Sequence, residues 1–266
     1  MDQTLQTAIE AAHRAGEVLL RKLPLTRQVR FKGQRDIVTD ADEAAQQMIA
    51  DIVHERFPDH AFFAEEGRHE ADLHSPTPTW IVDPLDGTTN YARRFPSFCV
   101  AVALAESGVP RVGVIYDPAR RETFYATQGQ GAFVQRGRAG PAPLRVSATD
   151  DMAEAVVGLD WARDPALRAL AIAALARVAA SCRSVRATGS AALGLAYVAA
   201  GWLDAYYHLS LAPWDVAAAA LIIREAGGAI TTPAGAPWEL GQPAVVVSNG
   251  KLHARFLAEM ALGGLL

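Results

Sequence analysis

The sequence predicts a mixed α and β protein in which helices cover the faces of β-sheets. Two amphipathic helices open the chain, strand-like runs fill its middle, and helix-like and strand-like segments alternate after residue 150. The chain has 266 residues, of which 50% are hydrophobic and 20% charged, so it is long enough to bury a substantial core. Layers of sheet and helix are a stable arrangement for such a pattern.

Two helices are predicted in the N-terminal part of the chain. Apolar residues from Leu5 to Leu20 recur at helical spacing, which predicts an amphipathic helix over residues 3–22. A second helix is predicted to begin near Asp40, with Met48 on its buried face, and to end at Pro58-Asp59.

The middle of the chain has the pattern of an antiparallel meander. Three strand-like runs are separated by turn residues: Phe98–Glu106, Arg111–Tyr116 and Glu122–Thr127. Arg136–Pro143 is rich in glycine and proline and is the best candidate for a boundary. We therefore expect an N-terminal half over residues 1–145 and a C-terminal half over 146–266, together forming one compact unit.

The C-terminal half is predicted to alternate helices with strands. Asp164-Pro165 has the residue types of a helix start, with Asp as N-cap and Pro at the first position. The further predicted elements are strands at Ser181–Arg186, Ala205–Leu209 and Ala244–Ser248, and helices at Ser190–Ala200 and Val216–Ala226.

Charge and cysteine content exclude several classes of protein. The net charge is −4 and no continuous basic stripe is present, which argues against a nucleic-acid partner. Cys99 and Cys182 lie in apolar surroundings without a metal-binding spacing, so free thiols are expected. No basic-then-apolar signal pattern and no run of about 18 apolar residues is present, so we expect a soluble cytoplasmic protein with no membrane partner.

One segment carries most of the chemical information. Residues 80–90 read Trp-Ile-Val-Asp-Pro-Leu-Asp-Gly-Thr-Thr-Asn, so an apolar strand ends in two carboxylates, Asp83 and Asp86. Gly87 permits close backbone approach, and two threonine hydroxyls follow at a predicted helix start. Carboxylates bind divalent metal ions, and free backbone N–H groups bind anions. The segment therefore predicts a metal ion beside a phosphate group.

Three other acidic residues have structural explanations when they are considered alone. Asp42 is a first-turn residue favoured by the helix dipole, where Asp40 and Glu43 would form a capping box. Glu65 fits a solvated loop, and Asp215 fits an N-cap.

Four segments, in their order along the chain, replace these structural explanations with a functional one. Together they resemble the inositol monophosphatase family of magnesium-dependent, lithium-sensitive phosphatases. The segments are Asp36–Asp42, Phe63–Gly67, Trp80–Asn90, and Pro213–Ala217 followed by Glu225–Gly228. The resemblance implies a layered α-β-α-β-α sandwich with the site between its two halves, and a homodimer.

The resemblance also implies a role for each acidic residue. One Mg²⁺ would be bound by Glu65, Asp83 and the Leu85 carbonyl. A second Mg²⁺ would be bound by Asp83, Asp86 and Asp215. A third ion would bind weakly near Glu65. Asp42 and Thr88 would position or deprotonate a metal-bound water, and the N–H groups of Gly87 and Thr88 would hold the phosphate. Cations are chemically appropriate here, because hydrolysis of a phosphate monoester must neutralise charge on the phosphoryl oxygens.

The substrate is less well defined. Thr89-Asn90 resembles the inositol phosphatase and sugar bisphosphatase branches, and Gly189-Ser190-Ala191 matches a family segment near the substrate ring. His208 stands where inositol-specific members have a glutamate that contacts a ring hydroxyl. Inositol 1-phosphate is the first expected substrate. A fructose-1,6-bisphosphatase, a histidinol-phosphatase and a non-catalytic, RNA-linked regulatory role are the alternatives.

Overall fold

The computed structural model describes residues 2–25, 29–33, 36–67 and 71–262. Within these ranges the helices are α1 (Gln3–Lys22), α2 (Asp40–Arg56), α3 (Thr88–Ala92), α4 (Pro165–Ser181), α5 (Ala191–Ala199), α6 (Pro213–Glu225) and α7 (His253–Met260), with a 3-10 turn at Met152–Glu154. The strands are β1 (Val29–Gly33), β2 (Asp36–Thr39), β3 (Ala61–Ala64), β4 (Thr79–Asp86), β5 (Cys99–Glu106), β6 (Val109–Asp117), β7 (Glu122–Thr127), β8 (Ala132–Arg136), β9 (Ala142–Pro143), β10 (Val156–Leu159), β11 (Ser184–Ala187), β12 (Ala205–His208), β13 (Ala229–Thr231) and β14 (Val245–Ser248).

The elements form five layers in the order helix, sheet, helix, sheet, helix. Helices α1 and α2 cover one face of a seven-stranded sheet, and α5 and α6 cover its other face. The same α5 and α6 also pack against a five-stranded sheet, whose outer face is covered by α4 and α7. Both faces of each sheet are therefore buried, and the predicted α-β-α-β-α sandwich is confirmed.

The seven-stranded sheet has the strand order β3-β4-β5-β6-β7-β8-β9. Strands β3 and β4 run parallel, and every later neighbour is antiparallel, so the predicted meander is confirmed. The five-stranded sheet has the order β11-β10-β12-β14-β13, with parallel pairs at the β11 side and antiparallel pairs at the β13 side. A separate antiparallel pair, β1-β2, precedes α2.

Helix starts follow the capping chemistry in the sequence, with two corrections. Asp164 caps α4 by accepting hydrogen bonds from the N–H groups of Ala166 and Leu167. The capping box of α2 is formed by Thr39 and Asp42, not by Asp40 and Glu43 as the structural alternative assumed. Helix α6 begins at Pro213, three residues before the predicted start, because proline suits the first turn of a helix. Asp215 is therefore inside the first turn and is not the N-cap.

Two further predictions concern the middle of the chain and the cysteines. Arg136–Pro143, the candidate boundary, contains the edge strand β9, because Ala142–Pro143 pairs with β8. Both cysteines are unpaired, as predicted. Within the described ranges, no helix combines the length and hydrophobicity that crossing a bilayer requires.

Candidate functional site

A bulge in β4 brings its two aspartates to the same side of the sheet. Side chains alternate along a strand, so residues three apart normally face opposite ways. Asp83 pairs with Ala101, whereas Asp86 pairs with Cys99, so β4 has one more residue than β5 between these two pairs. The extra residue reverses the alternation. Asp83 and Asp86 consequently line one cavity.

This cavity is lined by residues at the ends of strands from both sheets and has a volume of about 1160 Å³. One oxygen from each of Asp83, Asp86 and Asp215 lies within 4.8 Å of the others. The remaining predicted residues on its wall are Glu65, Leu85, Gly87, Thr88, Gly189, Ala191 and His208. Residues distant in the sequence therefore meet here.

The carboxylates are in an environment that disfavours negative charge. Burial raises the pKa of Asp83 well above its usual value, and the charges of Glu65, Asp86 and Asp215 raise it further. Burial also raises the pKa of Asp215, with Asp86 and Glu65 adding to the effect. A divalent cation would replace the protons that these groups otherwise retain. The oxygen-only donor set fits Mg²⁺, which prefers carboxylates and water.

Asp42 has a structural and an electrostatic role at once. Its Oδ2 accepts hydrogen bonds from the Thr39 N–H at 2.9 Å and the Thr39 hydroxyl at 2.5 Å, which completes the capping box. Its Oδ1 lies 3.3 Å from the Thr88 hydroxyl, which also donates to the Leu85 carbonyl at 3.0 Å. Asp42 is completely buried behind Thr88 and does not itself line the cavity.

Burial raises the pKa of Asp42 to about 7, against the opposing effect of its hydrogen bonds with Thr39. The nearby charges of Glu65 and Glu66 contribute a smaller part of this increase in the pKa. A carboxyl group with a pKa near neutrality is well suited to accept a proton at physiological pH.

The segment after Asp86 presents backbone to the cavity. Gly87 has φ +91°, and a Cβ atom there would lie 2.9 Å from the Ser97 carbonyl oxygen. Only glycine fits this close approach without strain. The short helix α3 begins directly afterwards, so Gly87, Thr88 and Thr89 form one wall of the cavity.

Ser190 differs from its predicted surroundings, whereas His208 lies where the sequence predicted it. Ser190 is 1% exposed and is not on the cavity wall, because its hydroxyl donates to Oδ2 of Asp86 at 2.5 Å. His208 does line the cavity, and its Nδ1 accepts a hydrogen bond from the Ser210 N–H at 3.0 Å. Burial, together with a smaller effect of the charge of Arg163, lowers the pKa of His208 to about 4. The imidazole is therefore neutral at physiological pH, with its proton on Nε2.

A group of cavity residues was not predicted from the sequence. It follows β10 and consists of Asp160, Trp161, Arg163 and Arg168. Burial raises the pKa of Asp160 to about 6, although the Gly189 N–H donates to this carboxylate. The sequence contains a pattern here like the one that identified Asp83. Polar residues directly follow a short apolar segment, Val156–Leu159.

Comparisons with known proteins agree on one family. The Inositol monophosphatase family profile matches residues 1–262. "Inositol monophosphatase 2" from Solanum lycopersicum is 38% identical over 263 residues, covering 97% of each chain. "Nus factor SuhB" from Escherichia coli (strain K12) is 36% identical over 265 residues, covering 98% of this chain and 96% of that protein. The solved structure "Thermotoga maritima IMPase TM1415" superposes with a TM-score of 0.89 at 33% identity, covering 97% of each chain. This chain therefore belongs to the inositol monophosphatase family.

Proposed function

We propose that this protein is a Mg²⁺-dependent phosphomonoesterase that hydrolyses inositol 1-phosphate or related polyol and sugar phosphates. The observation that carries the proposal is the convergence of Asp83, Asp86 and Asp215 within 4.8 Å on the wall of a large cavity. Three carboxylates this close repel one another unless protons or a cation neutralise them. Without a cation the same cluster would repel a phosphate ester.

The chain offers oxygen ligands for two ions. Glu65, Asp83 and the Leu85 carbonyl would hold one Mg²⁺, and Asp83, Asp86 and Asp215 would hold the second, with a weaker third ion near Glu65. The Leu85 carbonyl accepts a hydrogen bond from the Thr88 hydroxyl at 3.0 Å, and a carbonyl oxygen has two lone pairs, so it could bind an ion as well. When bound, Mg²⁺ neutralises charge on the phosphoryl oxygens and lowers the pKa of a coordinated water.

The other residues position the reacting groups. The N–H groups of Gly87 and Thr88 would bind the phosphate, because both residues line the cavity and Gly87 has only backbone atoms. The Thr88 hydroxyl would orient the attacking water, and Oδ1 of Asp42 behind it would take up the proton. The pKa of Asp42, raised by burial to about 7, supports this role.

The test is phosphate release from a panel of esters, with Mg²⁺ or with chelator. The panel contains inositol 1-phosphate, glycerol 2-phosphate, fructose 1,6-bisphosphate, histidinol phosphate and a nucleoside monophosphate. We expect Mg²⁺-dependent release from inositol 1-phosphate by the wild type and by Asp51→Asn, a matched change on the exposed side of α2. Folded protein that releases no phosphate from any ester with Mg²⁺ present would contradict the proposal.

A second candidate is hydrolysis of a sugar bisphosphate, and the arginines after β10 favour it. Arg163 and Arg168 line the cavity, and Arg168 is held over the Trp161 ring at 6.0 Å and donates to the Ala162 carbonyl. Guanidinium groups bind phosphate strongly, so they would suit a second anionic group on the substrate. Arg168→Ala should then raise KM for fructose 1,6-bisphosphate more than for inositol 1-phosphate. Arg14→Ala on the exposed face of α1 is the charge-matched control.

The expectation that nucleic acid is not a partner has no support from the comparisons. Relatives named "Nus factor SuhB" are about as similar to this chain as those named inositol monophosphatases. A regulatory role without catalysis is therefore the alternative that stays open if no ester in the panel is hydrolysed.

A further inference from the structure

One oxygen of Asp86 is occupied by donors from α5. Oδ2 accepts hydrogen bonds from the Ser190 hydroxyl at 2.5 Å and from the Ala192 N–H at 2.8 Å, and the Cys99 thiol lies 3.8 Å away. Ser190 is buried and lies off the cavity wall. A role in contacting substrate, as the sequence predicted, therefore does not fit its position.

We propose that Ser190 is a positioning residue that fixes the Asp86 carboxylate so that only its other oxygen, Oδ1, is presented to the metal. This inference rests on the metal-dependent activity proposed above. Groups that hydrogen-bond to a metal ligand orient it and thereby raise the affinity of the site for its ion.

Asp86 needs such a constraint for two reasons. It follows the bulge in β4, where the regular ladder that normally directs side chains is interrupted. It also lies beside Asp83 and Asp215, which would turn an unrestrained carboxylate away from the site whenever they are ionised. The donors of Ser190 and Ala192 hold the carboxylate in place against this repulsion.

The start of α5 is itself fixed from both sides of the cavity. Asp160 accepts hydrogen bonds from the Gly189 N–H at 2.8 Å and the Thr188 hydroxyl at 3.1 Å. The Thr188 carbonyl accepts from the Asn90 amide at 2.9 Å and the Ser97 hydroxyl at 3.0 Å. Because β10 and α3 each hold this segment, the Ser190 hydroxyl has a defined position relative to Asp86.

The competing explanation is that Ser190 serves only as the N-cap of α5. Its Oγ accepts the Leu193 N–H at 3.4 Å, which is longer than its 2.5 Å contact with Asp86. Loss of a cap alone would lower the melting temperature without changing the affinity for metal. Metal affinity therefore distinguishes the two roles.

The experiment is isothermal titration calorimetry of Mn²⁺ and Mg²⁺ into chelator-stripped full-length protein. Ser190→Ala should raise the metal Kd by about ten- to a hundredfold, the range found when outer hydrogen-bond partners of metal ligands are removed. Ser190→Thr keeps the hydroxyl and should restore an affinity near the wild-type value. Asp2→Ala removes the cap of the remote helix α1 and should leave the Kd unchanged.

Two further variants make each outcome decisive. Ser190→Gly removes the hydroxyl while retaining a residue that helix N-termini accept, so it replaces Ser190→Ala if that variant does not fold. Asp83→Asn tests the metal centre itself. If Asp83→Asn loses metal binding but the Ser190 variants retain wild-type Kd values, the positioning role is overturned and the proposed function stands. If the wild type binds no metal, or if Asp83→Asn binds metal like the wild type, the proposed function is contradicted. The positioning role of Ser190, which rests on that function, is then contradicted with it.

Discussion

Asp42→Asn should stabilise the metal-free protein while it removes turnover. The buried Asp42 carboxylate is harder to ionise in the folded state than in the unfolded chain, because burial raises its pKa from 3.8 to about 7. Asparagine carries no charge, so the variant avoids this cost. It also cannot accept the proton that hydrolysis releases.

The size and sign of the effect follow from proton linkage. Between the two pKa values the folded state binds more protons than the unfolded state, so stability falls as pH rises from about 4 to about 7. For Asp42 alone the cost is about 2 kcal/mol at pH 5 and about 4 kcal/mol at pH 8. The raised pKa already includes the hydrogen bonds that Thr39 donates to Asp42, so they are not counted again. The net stabilisation should therefore be about 2 kcal/mol at pH 5 and about 4 kcal/mol at pH 8.

The assay is urea unfolding of wild type and Asp42→Asn at pH 5 and pH 8 with chelator present. Subtracting the two free energies of unfolding at each pH removes the contribution of every other acid that both proteins share. Asp51→Asn, on the exposed side of the same helix, should give the same small difference at both pH values. If the advantage of Asp42→Asn does not grow between pH 5 and pH 8, Asp42 does not carry the raised pKa and the reasoning is wrong.

Further predictions concern the metal, the substrate and the assembly. Asp83→Asn should abolish turnover and leave the fold intact, as measured by circular dichroism. Wild-type protein treated with chelator should be inactive until Mg²⁺ is added back. Full activity in the presence of chelator would rule out the metal mechanism. Lithium at millimolar concentration should inhibit phosphate release, because Li⁺ would occupy the site of a weakly bound metal ion after product forms. An activity insensitive to lithium would weaken the inositol phosphatase assignment. His208→Glu should raise the kcat/KM ratio of inositol 1-phosphate to glycerol 2-phosphate, because it adds an acceptor for a ring hydroxyl, and an unchanged ratio would mean that this position does not contact substrate. Light scattering at micromolar concentration should give the mass of a homodimer, and a monomeric mass would contradict that expectation.

The helices and the meander could be predicted from the sequence because their signals are local. The apolar spacing of α1 and the Asp-Pro start of α4 each occur within a few consecutive residues. The short strands β1, β3, β10 and β13 were not predicted, since three to five residues are too few to establish a period. Their pairing depends on neighbours far away in the chain.

The sequence by itself identified Asp42, Glu65, Asp83, Asp86 and Asp215 as candidate site residues and showed that Asp83 and Asp86 follow an apolar strand. It did not determine that both would face the same side, because the bulge in β4 is visible only when the pairing with β5 is known. The sequence also could not predict the hydrogen bond from Ser190 to Asp86, or that Asp160 and Arg163 line the cavity. These contacts join residues up to about a hundred positions apart in the chain. Caps and periodicity are properties of neighbouring residues, whereas the burial that raises the pKa of Asp42 is created only when α2 packs on the completed sheet.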